Sequence, residues 1–154
     1  MSFWKKLLAA LGIAAATSGA SAADQLQTQA TSAAEQAVAI AKKVDGTNLD
    51  YSAESLKSVD RIVLGMRKDG TKPEQVQGTL FILGAYVGEV IVRNTKGARW
   101  TNPPKEIVAA GMDVMGVTTR AGVFLNPIGK VHKLLLNGEE DSVIGLYELS
   151  REKS

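Results

Sequence analysis

The clearest apolar rhythm in the chain runs through residues 49–70, "LDYSAESLKSVDRIVLGMRKDG". Leu56, Val59, Val63 and Met66 recur at i, i+3, i+7 and i+10, which places them on one face of a helix. Ser52 suits the N-cap, because its hydroxyl can accept from a free first-turn amide. Glu54 in the first turn complements the positive end of the helix dipole. Gly70 follows Lys68 and Asp69 as a natural C-terminal stop. A second helix is predicted over about residues 72–94, opened by a capping box of Thr71 and Glu74 with Pro73 in the first turn. Its centre, "TLFILGAYVGEVIV" (79–92), is apolar on most sides and so predicts a long central helix covered from several directions.

Ahead of these, residues 24–44 carry Leu26, Ala30, Ala33, Ala37, Ile40, Ala41 and Val44 near helical spacing. Most of these side chains are small, so such a helix buries little area alone. Weak docking on the body, pairing with a partner and a partly helical linker are all open to it. "DGTN" (45–48) ends it with turn residues. After "NTKGA" (94–98) the period changes. "RWT", "EIVAAG", "MDVMGVTT" and "GVFLN" are short, rich in β-branched residues and bounded by Gly, Pro or Asn, as strands are. "TTRAG" (118–122) reads as a hairpin turn. Asn126 before Pro127 reads as a cap followed by a first-turn proline, opening a helix over residues 127–136. A last helix over 139–153 has acids at its start and bases at its end. The class is therefore α+β: a small antiparallel sheet of three or four short strands flanked by helices, with a long central helix.

The N-terminus carries a different pattern. "MSFWKK" holds two lysines and no acid, "LLAALGIAAA" (7–16) is apolar, and small residues follow at Ala20 and Ala22 or Ser21 and Ala23. This order predicts a secretory signal peptide over residues 1–22 and a periplasmic or secreted protein. The apolar stretch falls short of the roughly 20 residues that span a bilayer, and no cysteine follows to carry a lipid. Neither feature supports a stable membrane anchor. The expected organisation is thus a signal peptide over 1–22, an Ala/Gln-rich helix or linker over 23–47 and a single α+β domain over 48–154.

Composition narrows the chemistry. The chain has 154 residues, 45% of them apolar and 5% aromatic, enough for one aliphatic core. Removing the first 22 residues takes away two of 18 basic side chains and none of the acids, leaving 16 against 16. A balanced chain exerts no long-range pull on nucleic acid. There is no cysteine and a single histidine, His132, which leaves no basis for disulfides or thiolate chemistry and little for a zinc site. His132 reads as a surface or capping residue. Neither a phosphate-binding P-loop nor a Gly-x-Ser-x-Gly nucleophile elbow is present. No cofactor, metal or catalytic residue is assigned.

What remains is a polar edge on the central helix. Glu89 stands alone in its apolar run, with Tyr86 three residues before it and Arg93 four residues after it on the same face. A buried carboxylate needs a partner, and Arg93, Arg99 or Tyr86 could supply one. A catalytic role would need a second acid or base at diagnostic spacing, and none is seen. Gly84 and Gly88 form G-x-x-x-G, which permits close approach of something bulky, with Trp100 and Tyr147 as candidates. Trp100 reads as a core anchor or, with Arg99, as a surface binding patch. The candidate binding residues are Tyr86, Glu89, Arg93, Arg99 and Trp100.

Together, "LDYSAESLKSVDRIV" (49–63), "LGAYVGEVIVRNTKGARW" (83–100) and "NGEEDSVIGLYE" (137–148) resemble a bacterial domain of unknown function. Its pattern is a Leu-Asp-Tyr-Ser start, a Gly-Ala-Tyr-x-Gly-Glu helix and a following Trp, over about residues 48–150. The resemblance implies a small α+β domain in which Tyr86, Gly88, Glu89 and Trp100 act as a unit. It brings no activity with it. The expected function is a non-enzymatic, exported module that binds another protein, of inhibitor or immunity type. The competing expectation is a small-ligand binder or hydrolytic enzyme centred on Glu89, with Tyr86 and Arg99.

Overall fold

The computed structural model describes residues 21–154. The segment expected as a signal lies outside the described residues, apart from Ser21 and Ala22. Ser21 caps the first helix, α1 (Ala22–Asp45), by accepting a hydrogen bond from the Asp24 amide. A left-handed Gly46 stops the helix. A 3-10 turn (Ala53–Ser55) leads into α2 (Leu56–Lys68), and a second one (Pro73–Gln75) leads into α3 (Gln77–Asn94). Strand β1 (Arg99–Thr101) follows, then the short helix α4 (Lys105–Ala109) and strands β2 (Gly116–Thr118) and β3 (Phe124–Leu125). Helix α5 (Pro127–Asn137), a 3-10 turn (Glu139–Asp141) and α6 (Val143–Glu152) complete the chain.

The architecture is α+β, a three-stranded antiparallel sheet flanked by helices, in the order β1-β2-β3. Trp100 pairs with Val117, and Val117 with Leu125. These three side chains face inward and are buried. Helix α3 is the centre: its residues from Ile82 to Ile91 are all buried. Helix α2 buries Leu56, Val59, Val63 and Met66 as the rhythm predicts, together with Ile62. Helix α1 docks on α3 through a stripe of five buried alanines, Ala30, Ala33, Ala34, Ala37 and Ala41.

Three local expectations are corrected. "EIVAAG" is part of α4 and its C-terminal turn, not a strand. Pro104 starts a turn whose carbonyl accepts from the Val108 amide, and Gly111, at φ +93°, turns the chain so that the Met112 amide reaches the Ile107 carbonyl. The capping box is shifted by one residue from Thr71 and Glu74. The Gln75 side chain accepts from the Lys72 amide at 3.0 Å, and regular α-helix begins only at Gln77. The last helix starts at Val143, because Glu139–Asp141 forms its own 3-10 turn.

Helix α2 also ties down the ends of its neighbours. Asp60 accepts from the Ser142 hydroxyl and from the Val143 amide at 3.0 Å, so it caps α6 from outside. Arg67 donates to the carbonyls of Leu135 and Leu136 at the C-terminal end of α5. Both contacts satisfy helix-end groups that lack intrahelical partners.

Candidate functional site

The two glycines of α3 define how closely its neighbours approach. A Cβ on Gly88 would stand 2.2 Å from the Trp100 Cη2, and one on Gly84 would stand 2.4 Å from the Ile128 Cα. Gly88 therefore seats the Trp100 ring, and Gly84 seats the backbone of α5. Trp100 is 3% exposed and is a core anchor, so the reading of a surface patch with Arg99 does not hold. Arg99 is exposed, its neighbour Trp100 points inward, and it is not a partner of Glu89.

Glu89 is 1% exposed. Its Oε1 accepts from Thr31 Oγ1 at 2.6 Å and from Gln27 Nε2 at 3.0 Å, both on α1. Gln27 Nε2 also donates to Thr31 Oγ1 at 3.0 Å. The other oxygen, Oε2, lies 3.8 Å from Arg93 Nε. The carboxylate is thus closed off first by α1 and second by Arg93. The residues that hold it, Gln27 and Thr31, are absent from the sequence-based candidates. They belong to a segment of weak amphipathic signal, and no local spacing links them to Glu89.

Arg93 has a second role. Its guanidinium carbon sits 3.6 Å from the centre of the Tyr51 ring, a cation–π contact. Tyr51 in turn packs on Tyr86, with ring centres 5.0 Å apart. The Tyr86 hydroxyl accepts from the Tyr51 amide at 2.9 Å and shares a 2.6 Å hydrogen bond with Ser55. Burial pushes the Tyr86 phenol pKa up, partly offset by the Ser55 hydrogen bond. Burial likewise raises Tyr51. Tyr51 has a left-handed backbone, φ +63°, which costs a bulky L-residue energy. Asn94 holds that backbone by donating to the Tyr51 carbonyl at 2.9 Å. Tyr86, Glu89 and Arg93 therefore form one cluster with Tyr51, while Trp100 belongs to the core and Arg99 to the outer surface.

Chemically this cluster is closed. Among the described residues each Glu89 oxygen faces an internal partner, and the carboxylate is buried. An open site lies elsewhere. A groove of about 530 Å³ runs between the start of α3, the loop after α4 and the start of α5. Leu80, Phe81, Met112, Val114 and Ile128 line it, with polar groups from Asn126, Asp113 and His132. Met112 is 41% exposed, and Val108 on the adjoining α4 is 40% exposed. Among the described residues no hydrogen bond or ion pair joins His132 to Asp113. Among the described residues no group of three or more His, Asp or Glu could hold a metal ion. No helix among them is long and apolar enough to cross a membrane.

No curated protein and no solved structure matches the chain. A family model described as a family of unknown function (DUF6278) matches residues 6–123, well over half of the chain, and the chain belongs to that family.

Proposed function

We propose that the chain is an exported, non-enzymatic module that binds another protein, and that the groove between α3 and α5 is the surface it uses. One contrast carries this reading. The only carboxylate inside the central helix is tied to α1 and Arg93, whereas an apolar groove with Met112 and Val108 exposed beside it lies open. Exposed apolar side chains around a concave, largely apolar surface are a common basis of protein docking. Export rests on the N-terminal pattern of two lysines, an apolar stretch and small residues.

The test is site-specific photo-crosslinking of the full chain in its native host, with the crosslinker at Met112 and, as control, at exposed Lys42. A discrete adduct from Met112 alone supports the reading. No adduct at either position, together with a small-molecule affinity abolished by Glu89→Gln, replaces it with a ligand-binding function centred on Glu89. The mature N-terminus tests export separately: an intact Met1 in native protein rules it out.

A further inference from the structure

The sheet turns Trp100, Val117 and Thr119 inward, so the alternate residues form its outer face. That face carries Arg99 and Thr101 from β1, Gly116 and Thr118 from β2, Arg120 just beyond it and Phe124 from β3. Thr101 and Thr118 share a 2.7 Å hydrogen bond between their hydroxyls. One of the two hydroxyl protons is used in that bond, and the other remains free for a ligand oxygen. The Arg120 side chain lies over Gly97, where a Cβ would stand 2.9 Å from its own. Arg99 pairs with Thr118, and Arg120 follows two residues later beside Gly97, so the two arginines lie together at one end of the hydroxyl pair. Neither arginine has an ion-pair or hydrogen-bond partner among the described residues. By contrast, Arg61 binds Asp45, Arg67 binds helix carbonyls, and Arg93 binds Glu89 and Tyr51; Arg151, at the end of α6, is also without a side-chain partner among the described residues but stands away from the sheet.

We infer that this outer face docks an acidic polypeptide segment of the partner, with Arg99 and Arg120 receiving its carboxylates and the threonine pair donating beside them. The inference rests on the protein-binding reading and adds the chemistry of the partner. Charge complementarity selects the occupant. Guanidinium groups match carboxylates in a two-bond geometry. Two cations on a chain of otherwise balanced charge suit one or two carboxylates rather than a long phosphate backbone. Gly116 lacks a side chain, and the Phe124 ring lies over it, 2.4 Å from where a Cβ would stand, so the face is apolar at this end and charged at the arginine end.

The probe is a fluorescein-labelled deca-glutamate peptide, read by fluorescence anisotropy at low salt with the full chain. Arg99→Ser with Arg120→Ser is expected to weaken binding about tenfold, and Thr101→Val with Thr118→Val to weaken it less. Lys42→Ser with Lys43→Ser removes the same charge from α1 and is expected to bind as the wild type does. Circular dichroism melts confirm that each variant folds. Equal loss in the arginine and lysine pairs overturns the inference, as does tighter binding of oligothymidylate than of the peptide through the same arginines. A Met112 crosslink that persists undiminished in the arginine variant overturns the sheet face as the contact and leaves the protein-binding reading standing.

Discussion

Gln27, near the start of α1, donates to the Glu89 carboxylate across 62 positions of sequence. That bond and its companion from Thr31 are what make a buried acid tolerable in the central helix. Gln27→Leu and Thr31→Val should each destabilise the fold by about 1–3 kcal/mol, because each takes a donor from a buried carboxylate. Glu89→Gln should cost less than the loss of both donors, since the amide oxygen still accepts from α1. Denaturant melts with a double-mutant cycle between positions 27 and 89 check this, and an additive cycle would mean that the bond contributes nothing.

Gly88 and Gly84 permit a second test. Gly88→Ala should cost about 1–3 kcal/mol, because the new methyl meets the Trp100 ring. Gly84→Ala should cost at least as much, since its obstacle is the Ile128 backbone and cannot rotate away. Trp100→Leu should remove most of the penalty at Gly88 and none at Gly84. Thermal melts of the single and paired variants separate the two.

These glycines are among the features legible in the amino-acid sequence. Their spacing on an apolar helix calls for a bulky neighbour; of the two candidates, Trp100 meets Gly88 and Tyr147 meets neither glycine, while Ile128 at Gly84 carries no local signal. The α+β class, the α2 face and the Asn126 cap are equally readable, because each depends on local period or local chemistry. The closure of Glu89 is not. Arg93 is visible because it lies one turn away, but the nearer partners come from a helix whose alanines give little amphipathic contrast. The strand expected at "EIVAAG" fails for a related reason. A five-residue element is too short for period to separate strand from helix, and the deciding feature is the turn at Gly111.

Docking of α1 is also measurable in the intact chain. Amides of Ala30, Ala34 and Ala37 should exchange with deuterium as slowly as those of α2, because their side chains lie in the shared core. A helix acting as a free linker would exchange far faster. Ala34→Asp, which places a charge against α3, should abolish that protection.

Stability should fall off at both ends of the pH range. The Lys130 hydrogen bond, then that of Asn137, holds the Asp141 carboxyl below its ordinary 3.8. The Thr47 hydroxyl does the same for Asp45, and that of Ser52 for Asp50. Each depressed group stabilises the fold fully above 3.8, and the contribution is lost as pH falls below it through the folded value. Asp141→Asn should flatten the acid fall in denaturation midpoint. Tyr51 and Tyr86 shift the opposite way: their raised phenols favour the fold below 10.0, and that contribution is lost as pH rises past it. Near-ultraviolet phenolate absorbance should show these two tyrosines ionising above 10.0 or only on unfolding.

The alanine stripe of α1 has one more consequence. A seam of methyl groups is nearly uniform along its length, so sliding the helix by one turn would exchange alanine for alanine at little hydrophobic cost. Packing alone leaves the axial position of α1 poorly specified. Gln27 and Thr31 both meet Glu89 in one alignment only, since a one-turn slip would bring Ala23 or Glu35 into the place of one of them and take a donor from the buried carboxylate. The polar contact thus works as an index pin: it sets where the helix stops along its track, and the alanines supply the close fit once it has stopped there.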